Sequence, residues 1–185
     1  MSAGKNELNQ TYIDFIKEQQ LFFVATADTD GYVNVSPKGL DSLRIVNNKE
    51  LLWLSVSGSG NETAAHVQAT GRMTLMFCAF AGKPLILRVY GNATVYHPRD
   101  TEWQELTQSF PDYPGTRNIF KLDIELVTTS CGTGVPEMQV VRTRADTDLL
   151  PWYGTLGSEG MEKFWRKKNL QSLNGKPTGI FDPVG

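Results

Sequence analysis

Histidine and cysteine are scarce in this chain, two of each among 185 residues. His66 and His97 form no HxH or HExxH pair, so the sequence offers no ligand set for a zinc or di-iron centre. Cys78 and Cys131 lie far apart and suggest neither a metal-ligand spacing nor a disulfide framework. An excess of one charge is also missing. The 18 Lys and Arg nearly balance the 20 Asp and Glu, which removes the electrostatic ground for nucleic acid as a partner. No hydrophobic run reaches the roughly 18 residues of a membrane span. The first residues, MSAGKNELNQTYIDF, contain no apolar signal region, so a cytoplasmic location and no membrane partner are expected. There is no internal repeat and no low-complexity tract. What is present is 40% apolar residues, sufficient for a sizeable core. One domain over residues 1–185 is expected, with 146–185 as a C-terminal helical extension.

Hydrophobic patterning predicts a mainly β (α+β) chain. Leu8, Tyr12, Phe15 and Ile16 share one face of a first helix. LFFVATA and YVNVS flank the turn Asp28-Thr29-Asp30-Gly31 as a hairpin. SLRIV and ELLWLSV follow, then a short helix over residues 62–69, then RMTLMFCAF and LILRVYGNATVYH around Ala81-Gly82-Lys83-Pro84. Asp100 is placed to cap a helix carrying Trp103, Leu106 and Phe110. IFKLDIELVTTSC alternates again, with Asp123 and Glu125 toward solvent, and a last helix covers residues 159–170. About six strands, mostly joined by hairpins, point to an antiparallel barrel with added helices.

One stretch carries candidate chemistry. VSGSGNETAAH, residues 56–66, is a small-residue turn between an apolar strand and a helix. It is not a nucleophile elbow, because Ser57 and Asn61 stand where that motif needs glycines two residues either side of Ser59. It is not a Walker A loop, because no Gly-Lys-Ser/Thr follows. A helix N-terminus with unpaired N–H groups and nearby hydroxyls suits a phosphate. An ordinary N-cap by Ser59 or Asn61, with Thr63 in the first turn, explains the same residues. A second stretch, NVSPKGLDSLRI, leaves a hairpin strand at Ser36-Pro37-Lys38-Gly39 and supplies a cation.

In this order and spacing, the SPKG exit, the strand LLWLSV and the turn SGSGNETAAH resemble the pyridoxamine 5′-phosphate oxidase-like family of flavoproteins. GRMTLMFCAF, LILRVYGNATVYHP and TTSCGTGVP extend the resemblance to roughly residues 10–145. The resemblance implies a six-stranded antiparallel split β-barrel with flanking helices, and a homodimer with FMN at the interface. It implies that Val35, Ser36, Pro37, Lys38 and Gly39 line the flavin, and that Ser57, Gly58, Ser59, Gly60, Asn61, Glu62 and Thr63 surround the ribityl phosphate. Arg72 would add charge. Cys131 and Gly132, in SCGTGVP, would approach the ring from the partner subunit. Cys131 reads equally well as a small buried hydrophobe.

The chain departs from the family pattern in two places. A Lys or Arg common at the start of the helix after the phosphate turn is replaced by Asn61 and Glu62. Glu62 would repel a phosphate unless it turns away or pairs with Arg72. The tail, GKPTGIFDPVG, lacks the Arg-Leu substrate motif of true pyridoxamine phosphate oxidases, so that activity is not expected. An FMN-dependent oxidoreductase of unknown substrate follows, with NAD(P)H a possible electron donor. A flavin-binding or stress-related protein without turnover is the alternative. A haem- or deazaflavin-binding split barrel is a third reading, for which His66 or His97 would have to serve as an axial haem ligand.

Overall fold

A computed structural model describes residues 4–181. Helix α1 (Gln10–Glu18) is capped by Asn9, whose side chain accepts the Tyr12 N–H, and it buries Phe15 and Ile16. Strands β1 (Phe22–Thr26) and β2 (Asn34–Lys38) form the first hairpin, and β3 (Leu43–Asn47) and β4 (Glu50–Val56) the second. Helix α2 (Glu62–Thr70) leads into β5 (Arg72–Cys78) and β6 (Ile86–Tyr96). A short α3 (Trp103–Thr107) precedes β7 (Thr116–Ser130), and a π-helical turn at Ala145–Leu149 opens α4 (Leu150–Lys168).

The strands make one antiparallel sheet in the order β2-β1-β5-β6-β7-β4-β3. The sheet is open, with β2 and β3 at its edges. It has seven strands where six were expected. Both edge strands are five residues long and bury no residue fully; they fall in YVNVS and SLRIV, so each of the seven apolar segments of the sequence carries one strand. Pro37 is tolerated because β2 needs a partner on one side only.

Packing explains why ELLWLSV is apolar on both faces. Leu51 and Trp53 enter the large core between the sheet, α1 and α2, whereas Leu52 and Leu54 join a smaller cluster with Phe110 and Ile119. Trp53 stacks on Phe120 at 4.8 Å between ring centroids. The β6–β7 ladder shifts register between Tyr90 and Gly91. A Cβ on Gly91 would stand 2.0 Å from the Asp123 carbonyl oxygen, so only glycine allows this approach.

Two helix expectations need correction. Asp100 does not cap α3: its carboxylate accepts the His97 N–H at 2.7 Å, and Glu102 holds the cap position. The last helix begins at Leu150 rather than 159 and bends at Gly157, whose φ of 62° and ψ of −175° interrupt it. Gly154, Gly157 and Gly160 weaken the helical signal over its first half. Asp123 and Glu125 are exposed, as the pattern required. Among the described residues no helix is long and apolar enough to cross a membrane.

Candidate functional site

A cavity of about 1040 Å³ opens where the end of β2, the end of β4, the β4–α2 turn and the start of β7 meet the segment from 140 to 152. Its size is at the upper end of ordinary ligand sites, roughly 300–1,000 Å³. Ser36, Pro37, Lys38 and Gly39 line it, and so does every residue from Ser57 to Thr63. The two stretches singled out from sequence therefore share one cavity. Val35 does not line it. It alternates to the other side of β2 and is 60% exposed.

The turn is held by its carbonyls and open at its amides. Ser57 N–H and its hydroxyl both donate to the Gly115 carbonyl, at 2.9 and 2.7 Å. The Ser57 hydroxyl accepts the Trp165 indole N–H at 2.6 Å, and Tyr153 O–H donates to the Ser57 carbonyl. Asn169 Nδ2 donates to the Gly58 carbonyl at 2.9 Å. By contrast, no N–H from Gly58 to Thr63 donates to another described residue. A Cβ added to Gly58 would meet nothing within 4 Å, and one on Gly60 only Glu62 Oε1 at 3.7 Å. Glycine here leaves the turn unobstructed rather than meeting a special φ.

Asn61 occupies the N-cap position of α2 yet makes no capping hydrogen bond. It is 2% exposed, lines the cavity, and its Nδ2 has no partner. The simple cap reading thus fails for Asn61. Ser59 is exposed and its side chain does not cap the helix either. Thr63 accepts from Asn34 Nδ2 at 3.2 Å, tying the helix to β2.

The charges around the cavity are mostly positive. Arg117, on β7, is 5% exposed; its Nη1 donates to Asn169 Oδ1 at 2.8 Å, while its Nε has no partner. Burial pulls its guanidinium down to about 10, still charged at neutral pH. Lys38 sits over the Trp53 ring at 5.2 Å. Burial, and secondly the charge of Arg117, lower its ammonium to about 8. Arg142 and Arg144 add cations from the far segment. Of the two acids on the cavity, Glu62 accepts the Leu173 N–H at 3.0 and 3.2 Å, and Asp148 lies 3.8 Å from Arg142. A buried donor pair with a half-buried lysine and few free carboxylates is what an anion requires.

Other expected residues fall elsewhere. Arg72 does not reach Glu62; its Nη2 donates to the Asp28 carbonyl at 3.0 Å and it does not line the cavity. Cys131 is exposed rather than buried, with its thiol lowered by hydrogen bonds from Thr133, and lies outside the cavity of the single chain. Gly132 packs against the Pro84–Leu85 backbone, where a Cβ would come within 2.8 Å of Leu85 N. Neither histidine lines the cavity: His66 Nδ1 pairs with Thr26 Oγ1 at 3.1 Å, and His97 Nδ1 with Asn118 Nδ2 at 2.9 Å. Sequence reasoning missed Arg117, Tyr153, Trp165 and Asn169, because their convergence on Ser57 and Gly58 leaves no spacing to read.

The pyridoxamine 5′-phosphate oxidase family model matches residues 8–131. The chain belongs to the pyridoxamine 5′-phosphate oxidase family. It is also 35% identical, over 186 aligned positions, to the pyridoxamine 5′-phosphate oxidase family protein ustO of Aspergillus flavus, covering 92% of this chain and 75% of that one. Among solved structures, a pyridoxamine 5′-phosphate oxidase homologue of Lactobacillus delbrueckii aligns with TM-score 0.54 and 24% identity over 67% of this chain and 95% of that one. A family-related FMN-binding protein of Nostoc punctiforme aligns with TM-score 0.51 and 13% identity, over 69% of this chain and 85% of that one. These likenesses establish the split-barrel fold. The family match ends at 131, so α4 and the segments around it lie beyond it.

Proposed function

We propose that this family member is an FMN-binding flavoprotein whose phosphate end is held by the β4–α2 turn, and that it works as an oxidoreductase. One observation carries the reading: two buried donors without partners, Asn61 Nδ2 and Arg117 Nε, line the same cavity as the free amides of residues 58–63. A doubly charged phosphate would satisfy them. FMN, when bound, supplies the electron-transfer chemistry itself. This chain's residues place and bias it. Arg117 and the turn amides hold the phosphate. Lys38, beside Trp53 and on the same cavity, adds a cation that attracts the phosphate and can stabilise negative charge along the ring edge. Asn34 fixes Thr63 and so the first turn of α2.

A homodimer is part of the same reading. Tyr32 and Val33 in the loop before β2, and Val35 on it, are 75, 70 and 60% exposed, apolar surface at the open sheet edge that a second copy would cover. Cys131 and Gly132 would then meet the partner's ring. A second reading has its own support. No histidine lines the cavity and both its carboxylates are engaged, so Lys38 is the cavity's remaining candidate for proton transfer, and a flavin carrier without turnover is equally served by these side chains.

The test is direct. Purified protein reconstituted with FMN should show an oxidised-flavin spectrum and bind FMN at micromolar concentration or tighter, about 8 kcal/mol. Riboflavin, lacking the phosphate, should bind at least about tenfold more weakly. Equal affinity for the two would sink the assignment of the turn. Reduction by NADH or NADPH under anaerobic conditions separates the oxidoreductase from the carrier.

A further inference from the structure

We infer that the C-terminal extension is a latch on the phosphate turn: Tyr153, Trp165 and Asn169 set the turn's amides, so that phosphate capture and docking of the extension are coupled. This rests on the FMN reading above. None of the three residues belongs to the family-matched segment.

The geometry is specific. In a trans peptide the carbonyl and the following N–H point in opposite directions. Tyr153 takes the Ser57 carbonyl and Asn169 the Gly58 carbonyl. The N–H groups of Gly58 and Ser59 are thereby directed away from the extension, and they have no partner among the described residues. Trp165 holds the Ser57 hydroxyl from the second half of α4, while Tyr153 grips from the first. The break at Gly157, with φ 62° and ψ −175°, separates those two halves. A β-carbon is strongly disfavoured in that conformation. Asn169 also anchors the Arg117 guanidinium at 2.8 Å. Finally, the Leu173 N–H occupies the Glu62 carboxylate, the acid that would otherwise oppose an anion at this turn. Four of the turn's determinants thus come from residues 150–173.

Coupling is reciprocal. If the docked extension favours phosphate, bound phosphate must favour docking by the same factor. Tyr153, Trp165 and Asn169 are positioning residues, and the test needs a readout that mere loss of stability would not move. Trp165→Phe keeps an aromatic side chain and removes the indole N–H donor. Its FMN affinity should fall about five- to tenfold, the worth of one neutral hydrogen bond, while riboflavin affinity changes less than about twofold. In the wild-type protein, amide hydrogen exchange across residues 159–168, the second half of α4 and outside the cavity lining, should be slowed by FMN and unaffected by riboflavin at equal occupancy. The wild-type experiment stands even if the variant folds poorly. Unchanged FMN affinity in Trp165→Phe, or equal protection by riboflavin, overturns the latch and leaves the FMN site standing. Failure of the wild-type protein to bind FMN at all overturns both.

Discussion

At the residue scale, Lys38 is the group whose behaviour depends most on its surroundings. Burial and Arg117 bring its ammonium to about 8. Above that pH the unliganded lysine is neutral, and below it the charge that attracts an anion is present. The phosphate of FMN keeps two negative charges throughout this range, since its second ionisation lies near about 6. FMN affinity is therefore expected to fall as pH rises from 7 to 9, with the steepest change near 8, and to flatten in Lys38→Arg. Fluorescence titrations at several pH values check this. A pH-independent wild type would exclude Lys38 from the anion's surroundings. For the unliganded fold the sign is opposite. The unfolded lysine holds its proton to a higher pH, so stability rises as pH passes upward through the native value toward the ordinary lysine range. Lys38→Ala should weaken FMN about 30-fold, a loss of roughly 2 kcal/mol for one charged contact.

At the level of elements, the strands and α1 were readable because their apolar residues repeat with the right period. Phe22, Val24 and Thr26 alternate inward along β1, and Leu51 to Leu54 divide between two cores. The β4–α2 turn was readable as a turn from its glycines, but its role was not. The cap reading and the phosphate reading use the same residues, and only the missing cap bond at Asn61 separates them. The start of α4 was illegible because glycine spacing argues against a helix that tertiary contacts nonetheless hold. Arg117 was illegible for another reason: it follows a turn in a run that otherwise reads as strand, and a buried cation is justified only by the Asn169 found opposite it. The β6–β7 pair offers an element-level test. Gly91→Ala forces a Cβ against the Asp123 carbonyl, and should lower stability by about 1–3 kcal/mol, seen as a Tm lower by several degrees. An unchanged melting curve would mean the bulge can relax at no cost.

At the scale of the whole molecule, the open sheet leaves two short edges, and the exposed apolar residues concentrate on β2 and the loop before it. Light scattering of the flavin-loaded protein at micromolar concentration should give twice the chain mass. A monomer mass with flavin bound would refute the proposed dimer. The order of the parts along the chain has a further effect, on the timing of biosynthesis. The turn at residues 57–63 leaves the ribosome long before Asn169, and at about 5–20 residues per second the delay is roughly 5–20 s. Through that interval the nascent sheet can pair its strands up to β7, but the Gly58 carbonyl lacks its Asn169 donor and keeps only the 3.5 Å contact from Arg117. Flavin supplied early in synthesis meets an unfinished cradle, and the arrival of residues 153–173 decides when the protein can first be loaded.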